Sequence, residues 1–171
     1  VPTVLSRVID HLVTTGEQPG CPALKAIAYG GGKMPLSVIE RAMALFPDTG
    51  FTNAYGLTET SSTIAILDPD DHRSAIAGSD PAVRKRLTSV GKPIATVEVE
   101  IRDESGKAVG VNQAGEIFVR GGQVAGEYLG MGSMLDANGW FPTRDRGYLD
   151  QYGYLYLDGR ADDVIVRGGE N

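Results

Sequence analysis

The sequence holds one cysteine, Cys21, among 171 residues, which excludes an internal disulfide and leaves no thiolate set for a structural metal. No apolar run approaches the ~20 residues that a bilayer-spanning helix needs. An excess of positive charge is missing too, because 16 Lys and Arg stand against 22 Asp and Glu, a net charge of −6. Non-specific nucleic-acid binding and anionic-membrane binding both draw on a basic surface, so neither is expected. No signal peptide is legible at Val1-Pro2-Thr3, where the chain enters a helical pattern at once, and the expectation is a reducing, cytoplasmic setting. Internal repeats and low-complexity tracts are absent. What is present, 42% hydrophobic and 22% charged residues, matches soluble globular proteins and suffices for a core.

Val4, Leu5, Val8, Ile9 and Leu12 recur at three-and-four spacing, which predicts an amphipathic helix over 3–14 ended by Gly16. Leu24 to Tyr29 reads as a buried strand running into Gly30-Gly31-Gly32-Lys33-Met34-Pro35, where small residues permit close backbone approach to a ligand. Leu36, Ile39, Met43 and Phe46 share one face of a second helix, with Ser37 and Glu40 as a capping box and Pro47 as its stop. Phe51 to Tyr55 reads as a further buried strand. This order defines an α/β unit whose parallel strands carry their C-terminal loops to one edge, where open α/β sheets bind ligands. Asp68 to Thr88 is polar, with one short helix expected from Asp80-Pro81 to Leu87. From about Ser89 the period becomes two: Val97, Val99 and Ile101 alternate with Glu98, Glu100 and Arg102. Further short strands are expected at Glu116–Arg120, Gly153–Asp158 and Asp163–Arg167. The predicted fold class is therefore α/β, a partial parallel-sheet subdomain followed by a small antiparallel, β-barrel-like one.

Three clusters carry chemistry. Asn53-Ala54-Tyr55-Gly56-Leu57-Thr58-Glu59-Thr60 sets an aromatic ring, a hydroxyl and a carboxylate at a strand end, suited to a nucleobase, a phosphate and Mg²⁺; a packed tyrosine beside a capping threonine is the plain alternative. Trp140-Phe141-Pro142-Thr143-Arg144-Asp145-Arg146-Gly147-Tyr148 offers an aspartate for a ribose diol, or simply an ion pair to Arg144 or Arg146. Asp158-Gly159-Arg160-Ala161-Asp162-Asp163 places an arginine after a glycine turn, for phosphate or ribose, or as solvated charge.

Taken in order, these clusters resemble the adenylate-forming enzymes, which include acyl-CoA synthetases, peptide-synthetase adenylation domains and firefly luciferase. Tyr55 to Thr60 is similar to their aromatic-Gly-x-Thr-Glu signature and Gly115-Glu116-Ile117-Phe118-Val119-Arg120-Gly121 to their Gly-Glu-(x)3-Arg-Gly strand. Thr143-Arg144-Asp145 sits at Thr-Gly-Asp, and Gly159 to Ile165 resembles Gly-Arg-x-Asp-Asp-x-Ile. The resemblance implies that a carboxylic acid and ATP give an acyl-adenylate, with transfer to the thiol of coenzyme A. It implies that Gly31, Gly32, Tyr55, Gly56, Thr58, Asp145 and Arg160 bind nucleotide, with Tyr55 on adenine, Asp145 on the ribose hydroxyls and Arg160 on ribose or phosphate. Thr58 and Glu59 take the catalytic places, Thr58 at the α-phosphate and Glu59 at Mg²⁺, and Asp162 is the hinge. These side chains are expected to converge on one adenylate. The implied organisation is 1–88 as part of the α/β nucleotide-binding subdomain, 89–160 as the β subdomain, and 161–171 as hinge and start of a C-terminal domain. The Gly-Gly-Glu-Asn ending resembles fatty-acyl and related acyl-CoA ligases, so a carboxylic acid, a fatty acid foremost, ATP and CoA are the expected partners.

Two departures stand out. Arg144 replaces the family's glycine and puts the conformation beside Asp145 in question, and Lys33 takes an apolar or proline position. The family's Ser/Thr/Gly-rich phosphate loop and the domain carrying its adenylation lysine have no counterpart within these 171 residues. The expectation is a segment of a longer ligase, inactive alone, with an apolar edge that permits self-association. An adenylation enzyme loading an amino or aryl acid onto a carrier protein is the alternative, as is a non-catalytic adenine-nucleotide module.

Overall fold

The computed structural model of the chain describes residues 2–128 and 132–160. It divides into two compact units, one of residues 1–56 with 65–92 and one of 57–64 with 93–171. The expected strand at Asp163–Arg167 and the hinge residue Asp162 lie outside the described residues.

The first unit opens with α1 (Pro2–Thr15), whose Ile9 is fully buried while Val4, Val8 and Val13 remain exposed. The chain continues through β1 (Ala26–Gly30), α2 (Leu36–Leu45) and β2 (Gly50–Tyr55), and β1 and β2 pair in parallel from Ala26↔Gly50 to Gly30↔Ala54. Gly30 must lack a side chain, because a Cβ there would strike the Ala54 carbonyl of the neighbouring strand. The predicted capping box does not form. Pro35 is the N-cap of α2 with no side-chain hydrogen bond, so Ser37 falls inside the helix, and Glu40 pairs with Arg84 instead. Val38, Ile39 and Ala42 of α2 pack with Ile9, Tyr29 and Phe51 into the core of this unit, and each large side chain among them contributes about 1.5–3 kcal/mol by leaving water.

Next, β3 (Ala65–Leu67) runs antiparallel to β2. It is followed by α3 (Pro69–Ala77) and α4 (Pro81–Lys85), and the sheet is completed in the order β1-β2-β3-β4 by β4 (Lys92–Pro93). Helix α3 was not expected from the sequence. Asp68 caps it by accepting from the Asp71 N–H at 2.7 Å, with Pro69 at its first position, where a missing N–H costs nothing. Fully buried His72 fastens it to the sheet. The Asp68 carbonyl only accepts, so the 2.7 Å contact places the proton on Nδ1 of His72, and Nε2 accepts from the Tyr29 hydroxyl at 2.8 Å. Burial pushes the imidazole pKa down and the Tyr29 phenol up.

The second unit contains β5 (Glu98–Arg102), β6 (Gly115–Arg120), β7 (Glu127–Tyr128), β8 (Gly132–Ser133), β9 (Phe141–Leu149) and β10 (Leu155–Arg160). Four of these form an antiparallel sheet in the order β10-β9-β6-β5, and β7 and β8 pair as a separate ribbon. Among the described residues the sheet is open, with β5 and β10 as its edges, rather than closed into a barrel. The Arg102 guanidinium lies 4.2 Å from the Phe118 ring centre and 5.3 Å from that of Trp140. It also bonds Glu100 at 2.6 Å and Asp136 at 2.8 Å, which fixes the turn leading into β9 and holds the Asp136 carboxyl below its ordinary range.

Candidate functional site

Position follows from register on β9. Glu116 pairs with Arg146 but Phe118 pairs with Pro142, so three residues, Thr143, Arg144 and Asp145, stand opposite Ile117 alone. The Thr-Arg-Asp motif is therefore a β-bulge, a device that re-aims side chains. The Thr143 hydroxyl closes it by donating to the Ile117 carbonyl at 2.8 Å and accepting from the Asp145 N–H at 3.1 Å. Arg144 takes φ +61°, the left-handed conformation in which a glycine is unstrained, and its side chain is exposed. The arginine thus occupies a backbone conformation that glycine adopts without strain.

A second bulge faces the first. Along β10, Tyr156 pairs with Tyr148 and Leu157 with Gly147, but Gly159 pairs with Arg146 and Arg160 with Asp145. The extra residue is Asp158, and Gly159 absorbs the turn at φ +116°. Without that one-residue shift, Arg160 would face Arg144. With it, the Arg160 Nε donates to Asp145 at 3.3 Å, joining a guanidinium 62% exposed to a carboxylate 12% exposed. A nearly buried carboxylate requires such a partner. The partner's exposure leaves it able to move toward a ligand.

Thr58 and Glu59 belong to the second unit and sit on a single 3-10 turn, Thr58–Thr60. Buried Thr60 closes it, its hydroxyl accepting from the Leu57 N–H at 2.9 Å and donating to the Leu57 carbonyl at 3.0 Å. Ser61 and Ser62 then take φ +53° and +76°, consecutive left-handed residues that cost of order 1–3 kcal/mol each unless their surroundings hold them. The holding group is Gln123, beyond the end of β6. Its Nε2 donates to the Thr60 and Thr63 carbonyls at 2.8 and 2.7 Å, and its Oε1 accepts from the Thr96 hydroxyl at 2.8 Å. Its carbonyl accepts from the Ser61 hydroxyl at 3.2 Å, and the Ala125 N–H donates to the Glu59 carbonyl at 2.7 Å. Thr58 is exposed and Glu59 half-buried.

Of the residues singled out from the sequence, the structure joins Asp145 to Arg160 and carries Thr58 and Glu59 together on one turn. Tyr55, Gly56, Gly31 and Gly32 belong to the first unit. Tyr55 ends β2 with 7% of its surface exposed. Gly31 needs its left-handed φ of +71°, whereas a Cβ at Gly32 would meet only Pro2, at 3.9 Å. Lys33 is exposed. Thr60 and Gln123 carry structural duties that the sequence reading missed; Thr60 was inside a recognised motif, while no pattern marked Gln123. No group of three or more His, Cys, Asp or Glu fit for a metal exists among the described residues. Glu59 as a single carboxylate nevertheless fits Mg²⁺, which is usually held by one or two carboxylates together with substrate phosphates.

A family model described as AMP-binding enzyme matches residues 1–129, and the chain belongs to that family. It is similar in particular to 2-succinylbenzoate–CoA ligases. The one from Bacillus subtilis (strain 168) is 35% identical over 176 residues, covering 99% of this chain and 33% of the relative. Among solved structures, the O-succinylbenzoate coenzyme A synthetase from Bacillus subtilis, in complex with ATP and magnesium ion, has a TM-score of 0.76 at 31% identity, with 99% of this chain and 32% of that one covered. An amide bond synthetase from Marinactinospora thermotolerans reaches the same TM-score of 0.76 at 31% identity, covering 93% of this chain and 30% of that one. The chain therefore spans about a third of the length of the relatives it matches. The expected fatty acid gains no support here, since a long-chain-fatty-acid-CoA ligase from Archaeoglobus fulgidus matches at 22% identity and speaks for the fold alone. No helix among the described residues is long and apolar enough to cross a membrane.

Proposed function

We propose that the protein carrying this chain is an ATP-dependent acid–thiol ligase that activates a carboxylic acid as its adenylate and passes the acyl group to coenzyme A. The observation that carries the reading is the pair of facing bulges that set Arg160 against Asp145, within a chain of the AMP-binding family. Asp145 accepts from the ribose hydroxyls, and Arg160, mostly exposed, either shares that carboxylate or swings to a phosphate oxygen. Thr58 donates to the α-phosphate. Glu59 would hold Mg²⁺ beside the phosphates, where the ion would supply electrostatic stabilisation of the charge on the phosphoryl oxygens. Gly31, Gly32 and Gly56 leave room for backbone to approach the ligand, and Tyr55 offers adenine the small part of its ring that remains uncovered. Asp162 is the proposed hinge.

The acid is proposed to be an aryl carboxylate of the 2-succinylbenzoate kind rather than a fatty acid, as the names of the relatives favour. Amide bond formation is the second reading, favoured by the synthetase that matches with a TM-score of 0.76. The activity belongs to the whole protein, and the 171 residues alone are expected to release no pyrophosphate. The test is pyrophosphate release by the full-length protein with a panel of aryl and fatty acids. Release with aryl acids, followed by a thioester when CoA is added, is the expected result. An amide formed from a supplied amine, with CoA ignored, supports the second reading, and no release with any acid contradicts both.

A further inference from the structure

The Gly-Glu-(x)3-Arg-Gly strand is the one recognised motif to which the proposed function gives no task. Its continuation, Gly121-Gly122-Gln123, supplies one. The turn bearing Thr58 and Glu59 is closed internally by Thr60 and by backbone bonds back to Leu57 and Thr58, but it runs directly into two left-handed serines, Ser61 and Ser62, beyond which the Thr63 N–H to Thr60 carbonyl bond is long at 3.4 Å. Backbone in that state persists only where the surroundings over-determine it. Gln123 supplies that constraint. Its two amide hydrogens reach the carbonyls of Thr60 and Thr63 on either side of the serine pair, and its oxygen is held by Thr96. A glutamine satisfies this arrangement because it presents two donors and an acceptor from one rigid plane. Glutamate lacks the donors, and methionine matches the size but bonds nothing there.

We infer that Gln123 is a positioning residue for the turn that presents Thr58 and Glu59, so that the β6 motif acts on the phosphate and metal end of the substrate through this side chain. The inference rests on the proposed roles of Thr58 and Glu59. Gln123 touches no substrate; it sets where the Thr58 hydroxyl and the Glu59 carboxylate stand. Misplacement of reacting or binding groups by about 1 Å costs up to ~100-fold, and loss of the clamp is expected to act at that level or somewhat below it.

The test uses the full-length protein with Gln123→Met, with Thr96→Val as a milder variant that spares the Nε2 bonds, and with Glu59→Gln as the reference for the metal role. Two quantities are read: the Mg²⁺ concentration giving half-maximal pyrophosphate release at fixed ATP and acid, and hydrogen exchange of the amides of residues 60–63. Gln123→Met is expected to raise the half-saturating Mg²⁺ by about tenfold, with most of the rate recovered at saturating Mg²⁺, and to speed exchange of those amides. Thr96→Val is expected to move both quantities the same way by a smaller factor, and it carries the test if Gln123→Met does not fold. A Gln123→Met protein with wild-type Mg²⁺ dependence, while Glu59→Gln shifts it, overturns the inference and leaves the proposed function standing. If Glu59→Gln leaves the Mg²⁺ dependence unchanged, the metal role of Glu59 falls. The exchange measurement requires no metal, and wild-type exchange at 60–63 in Gln123→Met overturns the clamp whatever Glu59 does.

Discussion

Arg144 shows how much one backbone angle can preserve. The resemblance puts an arginine where the family motif has glycine, yet the residue adopts φ +61° and the bulge around Asp145 forms. The cost of a left-handed non-glycine residue is about 1–2 kcal/mol. Arg144→Gly is therefore expected to stabilise the protein by about 1 kcal/mol, seen as a rise of roughly 2–4 °C in melting temperature for a chain of this size; an unchanged or lowered melting temperature contradicts the strain. Thr143 is the complementary case, a residue whose motif was recognised but whose task was not. Its hydroxyl satisfies both the Ile117 carbonyl and the Asp145 N–H, and leaving such buried groups unpaired costs about 1–3 kcal/mol. Thr143→Val is expected to lower both stability and AMP affinity, whereas Thr143→Ser keeps both. Equal AMP binding by the two variants contradicts a role for this hydroxyl in setting Asp145. Tyr55, whose residue type suits a stacking ring, ends β2 with 7% of its surface exposed.

At the scale of elements, regular apolar spacing was legible and interrupted spacing was not. The predicted helix over 3–14 and the strands ending at Tyr29 and Tyr55 correspond to α1, β1 and β2 within one or two residues. Strand β9 went unread because its two ends, Phe141 and Leu149, enclose a bulge and three charged residues that hide the period of two. Helix α3 went unread inside a polar stretch, although Asp68-Pro69 is the same start signal as Asp80-Pro81, which was read. The element that anchors α3 makes its own prediction. Burial lowers the His72 pKa in the folded chain, while the unfolded chain titrates near 6.5. Between those two values the unfolded state binds a proton that the folded state does not, so stability falls as pH drops below about 6.5 and is unaffected by this group above it. The urea midpoint of the wild-type chain is expected to fall more between pH 7.5 and 5.5 than that of His72→Gln. Equal falls in the two proteins contradict the assignment.

For the whole molecule, four short motifs in order carried more than any composition could. They led to a family that the match over residues 1–129 establishes, and the antiparallel second sheet they accompanied is present. The acid was not legible. The fatty-acyl expectation drew on the final residues of the chain, whereas the relatives at 35% and 36% identity are 2-succinylbenzoate–CoA ligases. A motif that reads the nucleotide, common to every substrate, carries no information on the acyl pocket. The central claim is accordingly about the nucleotide: Asp145, aimed by two bulges and balanced by Arg160, receives the ribose of an adenylate. Calorimetric titration of the full-length protein with AMP tests it most directly. Binding by the wild type that weakens roughly 10- to 100-fold in Asp145→Asn, the range for a hydrogen bond to a charged group, is the predicted result. AMP bound equally well by the wild type and by Asp145→Asn would contradict it.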